Sequence, residues 1–258
     1  RSDKRSYRMP KPNSANHRLV MTTCQAGVEW ALKQEFARRW PQLRFAFSRP
    51  GFVTFKSAGE GTDENQVPCM GSVFARTCAW SLGRVDCGEA LDTLARQAWQ
   101  FVGGRKVDHV HLWRRDPAVP GEHSFEPGRW AGTLPAAEAV AGGRPAGWPA
   151  PAVNSLAHHQ EGVMDCVLVD PGQWWIGYHR VESVAGRWPG GVPLFAPPDG
   201  MISRAYLKMS EALLWSRLPC REGDAFVELG CAPGGSCQAL LERGLSVTGI
   251  DPADVDAR

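Results

Sequence analysis

Residues 225–251, AFVELGCAPGGSCQALLERGLSVTGID, decide the fold of the C-terminal part of this chain. Apolar Phe226 and Val227 end at Glu228, a turn carries Gly230, Gly234 and Gly235, a helix runs through Leu240 and Leu241, and a second apolar strand ends at Asp251. Strand, glycine-rich turn, helix and strand make one unit of a parallel α/β sheet. Glycines just past a strand let the backbone approach a bound cofactor, and an acidic residue closing the next strand can hold ribose hydroxyls. The turn reads ExGxxxG rather than GxGxxG, and it lacks the Lys-Ser/Thr pair of a P-loop. That spacing suits S-adenosylmethionine better than a dinucleotide; an ordinary strand–helix turn with incidental glycines is the alternative. The candidate cofactor contacts are Glu228, Gly230, Cys231, Pro233, Gly234, Gly235 and Asp251.

Immediately upstream, RAYLKMSEALLWSRL (204–218) has the pattern of a helix and contains Lys208. The chain has 6 lysines, at 4, 11, 33, 56, 106 and 208, so Lys208 is the sole lysine after 106. In a chain this rich in arginine, a lone lysine points to a compact, tunable ammonium. A solvated helix face is the plain alternative.

The 258 residues, 43% of them hydrophobic, suffice for one large domain or two ordinary ones. A net charge of +2 excludes a polycationic or an acidic solvating protein. No apolar run approaches a membrane span, and the N-terminal stretch lacks the apolar segment of a signal peptide, so the expectation is a cytoplasmic protein without a membrane partner. The eight cysteines include no CxxC pair, and reduced, mostly buried thiols are expected, without a metal site. Charge is uneven: residues 1–60 carry 12 Lys/Arg against 4 Asp/Glu, and residues 61–258 carry 17 against 23. A basic excess at one end suggests contact with phosphate backbones, with Arg5, Arg8 and Lys11 in an N-terminal arm and Arg204 beside the Lys208 helix as candidates. A solvated arm is the alternative.

After the arm, HRLVMTTCQAG reads as a strand, VEWALKQEFARRW as an amphipathic helix stopped by Pro41, and FAFSRPGFVTFK as two strands about Pro50-Gly51. This order opens a ferredoxin-like α+β unit. VFARTCAWSLGRV, ALDTLARQAWQFV and KVDHVHLWRR suggest strand, helix and strand again. Residues 117–151 hold 7 Pro and 6 Gly and read as a loop or linker. VMDCVLVD and QWWIGYHRV follow as two strands. The expected division is a basic arm at 1–16, an α+β region at 17–116, a Pro/Gly-rich linker or insertion at 117–157, a β-rich remainder at 158–185, and the C-terminal α/β part at 186–258. His109 and His111 share a strand face without an evident carboxylate partner, His158-His159 reads as solvated, and Trp174, Trp175 and Trp188 fit packing better than base stacking.

SRAYLKMSEALLW followed by VELGCAPGGSCQALLERGLSVTGID resembles the FtsJ-like ribose 2′-O-methyltransferases, whose first motif reads D/E-x-G-x-x-P-G-G. Within them it is most similar to the RlmM-type 23S rRNA cytidine 2′-O-methyltransferases. CQAGVEWALKQEF, GFVTF, VFARTCAW and WWIGYHR…WPGGVP extend the likeness upstream. The resemblance implies an α/β protein: a ferredoxin-like and THUMP-like α+β region, then the start of a Rossmann-like methyltransferase domain, incomplete at residue 258. It implies S-adenosylmethionine as cofactor, RNA (23S rRNA) as partner, and Lys208 as first member of a Lys-Asp-Lys-Glu tetrad whose other members fall beyond this sequence. A non-catalytic RNA-binding or assembly factor with a methyltransferase-like fold is the alternative.

Overall fold

The computed structural model describes residues 18–57, 67, 71–86, 90–116, 133–170, 173–193 and 195–256. They form two compact units that divide between Val192 and Pro193.

The first unit is built on one mixed sheet. Its elements in chain order are β1 (Leu19–Thr23), α1 (Glu29–Arg39), β2 (Leu43–Arg49), β3 (Phe52–Ser57), β4 (Thr77–Asp86), α2 (Leu91–Val102), β5 (His109–Arg114), α3 (Leu134–Gly142), β6 (Ala152–Val153), β7 (Gly162–Asp170) and β8 (Gln173–Arg180). The strand order is β2-β3-β1-β4-β8-β7-β5-β6. All pairings are antiparallel except β5 with β7 and with β6.

Helix α1 buries Leu32 and Phe36 against Val20, Val53 and Phe55, and the Phe36 and Phe55 rings stack at 4.1 Å. Pro41 follows directly on the last turn, which Pro cannot continue. The β2–β3 turn needs Gly51: its φ is +75°, and a Cβ there would stand 2.9 Å from the Asp116 backbone nitrogen. Ala46 is an extra residue in β2, because Phe45 pairs with Phe55 and Phe47 with Thr54. Helices α2 and α3 bury Leu94, Ala98, Trp99, Val102 and Val140 with Val110, Leu112 and Ile176 of the sheet, and the Trp99 indole N–H donates to the Val140 carbonyl at 2.6 Å. Met21, Phe52, Trp113, Val167 and Trp175 form a separate cluster.

Several expectations need correction here. The stretch read as a linker contains α3 and β6, and α3 packs into the core. Its Ala-rich run favours helix, and Pro135 sits in the first turn, where a missing N–H costs nothing. Residues 117–132 lie outside the described residues. Cys24, Cys166, Cys231 and Cys237 are buried free thiols and Cys220 an exposed one, but Cys78 is disulfide-bonded. Spacing could not show a pairing made by the fold. His109 does have a carboxylate partner: its Nε2 lies 2.8 Å from Glu161 Oε2 and its Nδ1 3.0 Å from Ser155 Oγ. Trp174 and Trp175 are buried, and His158 and His159 are exposed.

The second unit comprises α4 (Ala205–Ser216), β9 (Ala225–Leu229), α5 (Gly235–Leu241) and β10 (Ser246–Ile250), with β9 and β10 parallel. Leu240 and Leu245 are buried, while Val227 and Leu229 are 64% and 73% exposed. Among the described residues of both units, no helix is long and apolar enough to cross a membrane.

Candidate functional site

The glycine-rich turn lies where β9 passes into α5, beside the end of β10. The parallel register pairs Glu228 with Gly249 and Leu229 with Ile250, and the Gly230 N–H continues the ladder by donating to the Ile250 carbonyl at 2.9 Å. Gly230 then takes φ +78°, with open space where a Cβ would project. Only glycine adopts this conformation without strain, so the chain leaves the strand with a bare backbone surface. Gly234, at φ +117°, precedes α5; a Cβ there would meet Val255 Cγ1 at 3.2 Å.

Asp251 fastens this turn. Its Oδ2 accepts the Ala232 N–H at 2.9 Å and its Oδ1 the Ala253 N–H at 2.8 Å. These two backbone donors hold the carboxyl below its ordinary range, Ala253 contributing most. Each carboxylate oxygen retains a further lone pair for an outside donor. The Pro233 carbonyl accepts the Asp256 N–H at 2.9 Å, which fixes the chain after β10 to the same turn.

The other candidates separate by environment. Gly235 faces protein: a Cβ would clash with the Ser203 hydroxyl and stand 3.1 Å from the Tyr206 backbone nitrogen, so this glycine lets α4 approach α5. Cys231 is buried with its sulfur toward the second strand, since a Cβ at Gly249 would lie 2.8 Å from it. Burial, and then neighbouring Cys231, push the Cys237 thiol upward, so Cys237 does not resemble a nucleophile. Pro233 is exposed and Glu228 partly so. No hydrogen bond or ion pair engages the Glu228 side chain among the described residues.

Lys208 is on the exposed side of α4. Ser203, Tyr206 and Ser210 turn toward α5: Tyr206 donates from its hydroxyl to Glu242 Oε2 at 2.6 Å, and Arg243 donates to Ser210 Oγ at 3.1 Å. Lys208, two residues from Tyr206 and two from Ser210, projects from the other side of the helix, at about 100° per residue. Among the described residues it has no ion-pair partner. The structure therefore does not bring Lys208 into contact with the turn. Arg204 is exposed at the start of α4. Arg5, Arg8 and Lys11 lie outside the described residues.

Sequence reasoning missed the residues that dock α4 on α5. The Gln238 Oε1 accepts the Ile202 N–H at 3.0 Å, and its amide donates to Glu242 at 3.0 Å. No residue pattern announced them. Only the local bond from Ala253 follows a residue pattern, because Asp-Pro-Ala favours a carboxylate accepting the N–H two residues on; the bond from Ala232 does not. Among the described residues no group of three or more His, Cys, Asp or Glu is placed to hold a metal.

The parallel strand pair, the bare glycine turn and the acidic latch just past the second strand all lie within residues 201–257, the stretch matched by the FtsJ-like methyltransferase family. Residues 201–257 are FtsJ-like in sequence. The chain is also 46% identical over 68 residues to the ribosomal RNA large subunit methyltransferase M of Halorhodospira halophila, covering 25% of this chain and 20% of that protein. With the protein of the same name from Alkalilimnicola ehrlichii it shares 40% over 74 residues, or 26% and 21% of the two chains. The match thus spans about a fifth of those relatives' length. The resemblance to FtsJ-like and RlmM-type methyltransferases read from the motifs is found in both comparisons. The solved structure of TrmN from Thermus thermophilus overlays on 90% of this chain and 64% of that one, with 15% identity and a TM-score of 0.41, a likeness too loose to define a common fold.

Proposed function

We propose that the chain is part of an S-adenosylmethionine-dependent RNA ribose 2′-O-methyltransferase that acts on large-subunit ribosomal RNA in the cytoplasm. The observation that carries the reading is the turn itself: Gly230 in a left-handed conformation with open space above it, closed by the two backbone hydrogen bonds to Asp251. That arrangement fits the cofactor by its chemistry. A glycine backbone admits close approach, and the carboxylate keeps lone pairs for ribose hydroxyls. We assign Glu228, Gly230, Cys231, Pro233, Gly234 and Asp251 to this pocket, with Cys231 as buried support, and Gly235 to its packing against α4. Within the first unit, the order β2-β3-β1-β4 is that of a ferredoxin-like sheet, which supports reading it with the remaining strands as ferredoxin-like and THUMP-like.

When bound, S-adenosylmethionine supplies a methyl group on a positively charged sulfur. A ribose hydroxyl is a weak nucleophile, so the protein must stabilise negative charge growing on oxygen and receive its proton. Lys208 is the residue we assign to that hydroxyl: an exposed amine without an ion-pair partner among the described residues is free to meet a substrate oxygen. Arg204, also exposed, and Arg5, Arg8 and Lys11 are assigned to the RNA backbone. The test is transfer of labelled methyl to large-subunit ribosomal RNA by the natural protein and by its Lys208→Ala variant. Turnover should fall by roughly a hundredfold or more with cofactor affinity unchanged. Undiminished transfer would reduce Lys208 to a solvated helix residue. Absence of transfer by the natural protein, with RNA still bound, would favour a non-catalytic RNA-binding factor.

A further inference from the structure

Residues 18–57 carry seven basic and two acidic side chains. Both acids are engaged locally. Glu29 accepts the backbone N–H groups of Gly27 and Gly51, and Glu35 accepts Ser72 Oγ–H and Val73 N–H while pairing with Arg39 at 2.8 Å. The outer side of α1 and the adjoining strand β2 are therefore cationic. β2 is also an edge strand, with one side unpaired in the sheet.

Two aromatic rings stand in this basic setting: Trp30 on α1 is 73% exposed and Phe45 on β2 is 52% exposed. Lys33 joins them. It follows Trp30 by three residues on the same helix face, and its ammonium lies 4.2 Å from the Phe45 ring centroid, held by Ser48 Oγ at 2.8 Å. Arg38 is exposed on α1, whereas the exposed cross-strand pair Arg44 and Lys56 lies on the sheet face opposite Phe45.

Rings and cations together select among partners. The core of a protein–protein contact is depleted in lysine, whereas a single nucleic-acid strand needs both flat apolar surfaces for its bases and cations for its phosphates. A duplex keeps its base faces stacked inside, out of reach of Trp30 and Phe45. Strands β9 and β10 make a useful contrast: they also expose apolar side chains, Val227, Leu229 and Ile250, but offer no aromatic ring among them. We propose that Trp30, Lys33 and Phe45, with Arg38 on the same helix, form a stacking platform for unpaired bases of an RNA strand. This rests on the RNA-directed reading above and deepens it by naming the form of RNA that the first unit grips.

The test is fluorescence anisotropy of the whole chain with a short labelled unpaired RNA, and with the same strand annealed into a duplex. The parent should prefer the single strand. Trp30→Ala and Phe45→Ala should each weaken that binding by about five- to a hundredfold, the range for losing one stacked base, and Trp30→Phe should keep most of it. Lys33→Gln should reduce the slope of log affinity against log salt by about 0.7. Because Trp30 and Phe45 are exposed, thermal melts of their variants should stay nearly unchanged. Parent-like affinity in the Trp30→Ala/Phe45→Ala double variant would overturn the platform, as would equal binding of the duplex, no binding by the parent, or a Trp30-dependent protein partner with RNA binding intact. S-adenosylhomocysteine titration of the same proteins keeps the two readings apart. Cofactor binding with indifferent RNA variants removes only the platform, whereas Trp30-dependent RNA binding without cofactor binding removes only the methyltransferase.

Discussion

His111 is fully buried on β5, with Nε2 2.9 Å from the Ser155 carbonyl oxygen and Nδ1 without a partner. Burial, then the nearby His179, push it down to about 3 from an ordinary 6.5. His179 moves the other way. Burial alone would lower it, but the charge and hydrogen bond of Asp165, 2.6 Å away, and the Gly186 carbonyl outweigh that and raise it. The signs then differ. His111 contributes stability that is complete above pH 6.5 and is lost as pH falls from there toward about 3; His179 contributes stability complete below 6.5 and lost as pH rises through its elevated value. His111→Leu should therefore gain on the parent as pH falls from 6 to 4, at up to about 1.4 kcal/mol per pH unit, measured by urea unfolding across that range. Parallel curves would show that His111 does not stay neutral in the folded protein. At Gly235, alanine would press into Ser203 and the α4 backbone, so Gly235→Ala should destabilise the second unit by about 1–3 kcal/mol, while Gly104→Ala, with open space around it, should not be felt to that degree. Two-probe thermal melts would compare them.

The regular elements were readable wherever a period and a breaker coincided. Helix α1 ends before Pro41, α2 covers the expected apolar stripe, and β7 and β8 follow from largely apolar runs suited to a sheet buried on both faces. Helix α3 was missed because six glycines and seven prolines across residues 117–151 masked a short alanine run. The bulge at Ala46 has no sequence signature, and it decides which face Phe45 takes. Elements also differ in protection from water. Strands β7 and β8 are buried almost throughout, whereas β9 and β10 form a two-stranded sheet with mostly exposed side chains. Isolated pairs are marginal, so β9 and β10 amides should exchange with solvent well before those of β7 and β8. Hydrogen exchange read by mass spectrometry checks the order; equal protection would mean that β9 and β10 are covered in solution.

For the whole molecule, composition bounded little beyond a well-cored chain of near-neutral charge, while 27 residues of motif marked the glycine-rich turn proposed to hold the cofactor. The position of the turn between strand and helix, its glycines and the acidic end of β10 were all readable. That Asp251 binds the turn's backbone, that Gly235 serves helix packing, and that Cys231 faces inward were not, because each depends on contacts between segments distant in the chain. The central claim is that this turn holds S-adenosylmethionine. Its most direct test is calorimetric titration of S-adenosylhomocysteine into the natural protein and into Asp251→Ala. The account predicts saturable binding at one site, weakened at least tenfold (about 1.4 kcal/mol) in the variant, since removing the carboxylate releases the Ala232 and Ala253 N–H groups and deprives the ribose of an acceptor. A folded protein that gives no heat with S-adenosylhomocysteine, or that binds a nicotinamide dinucleotide in its place, would contradict it.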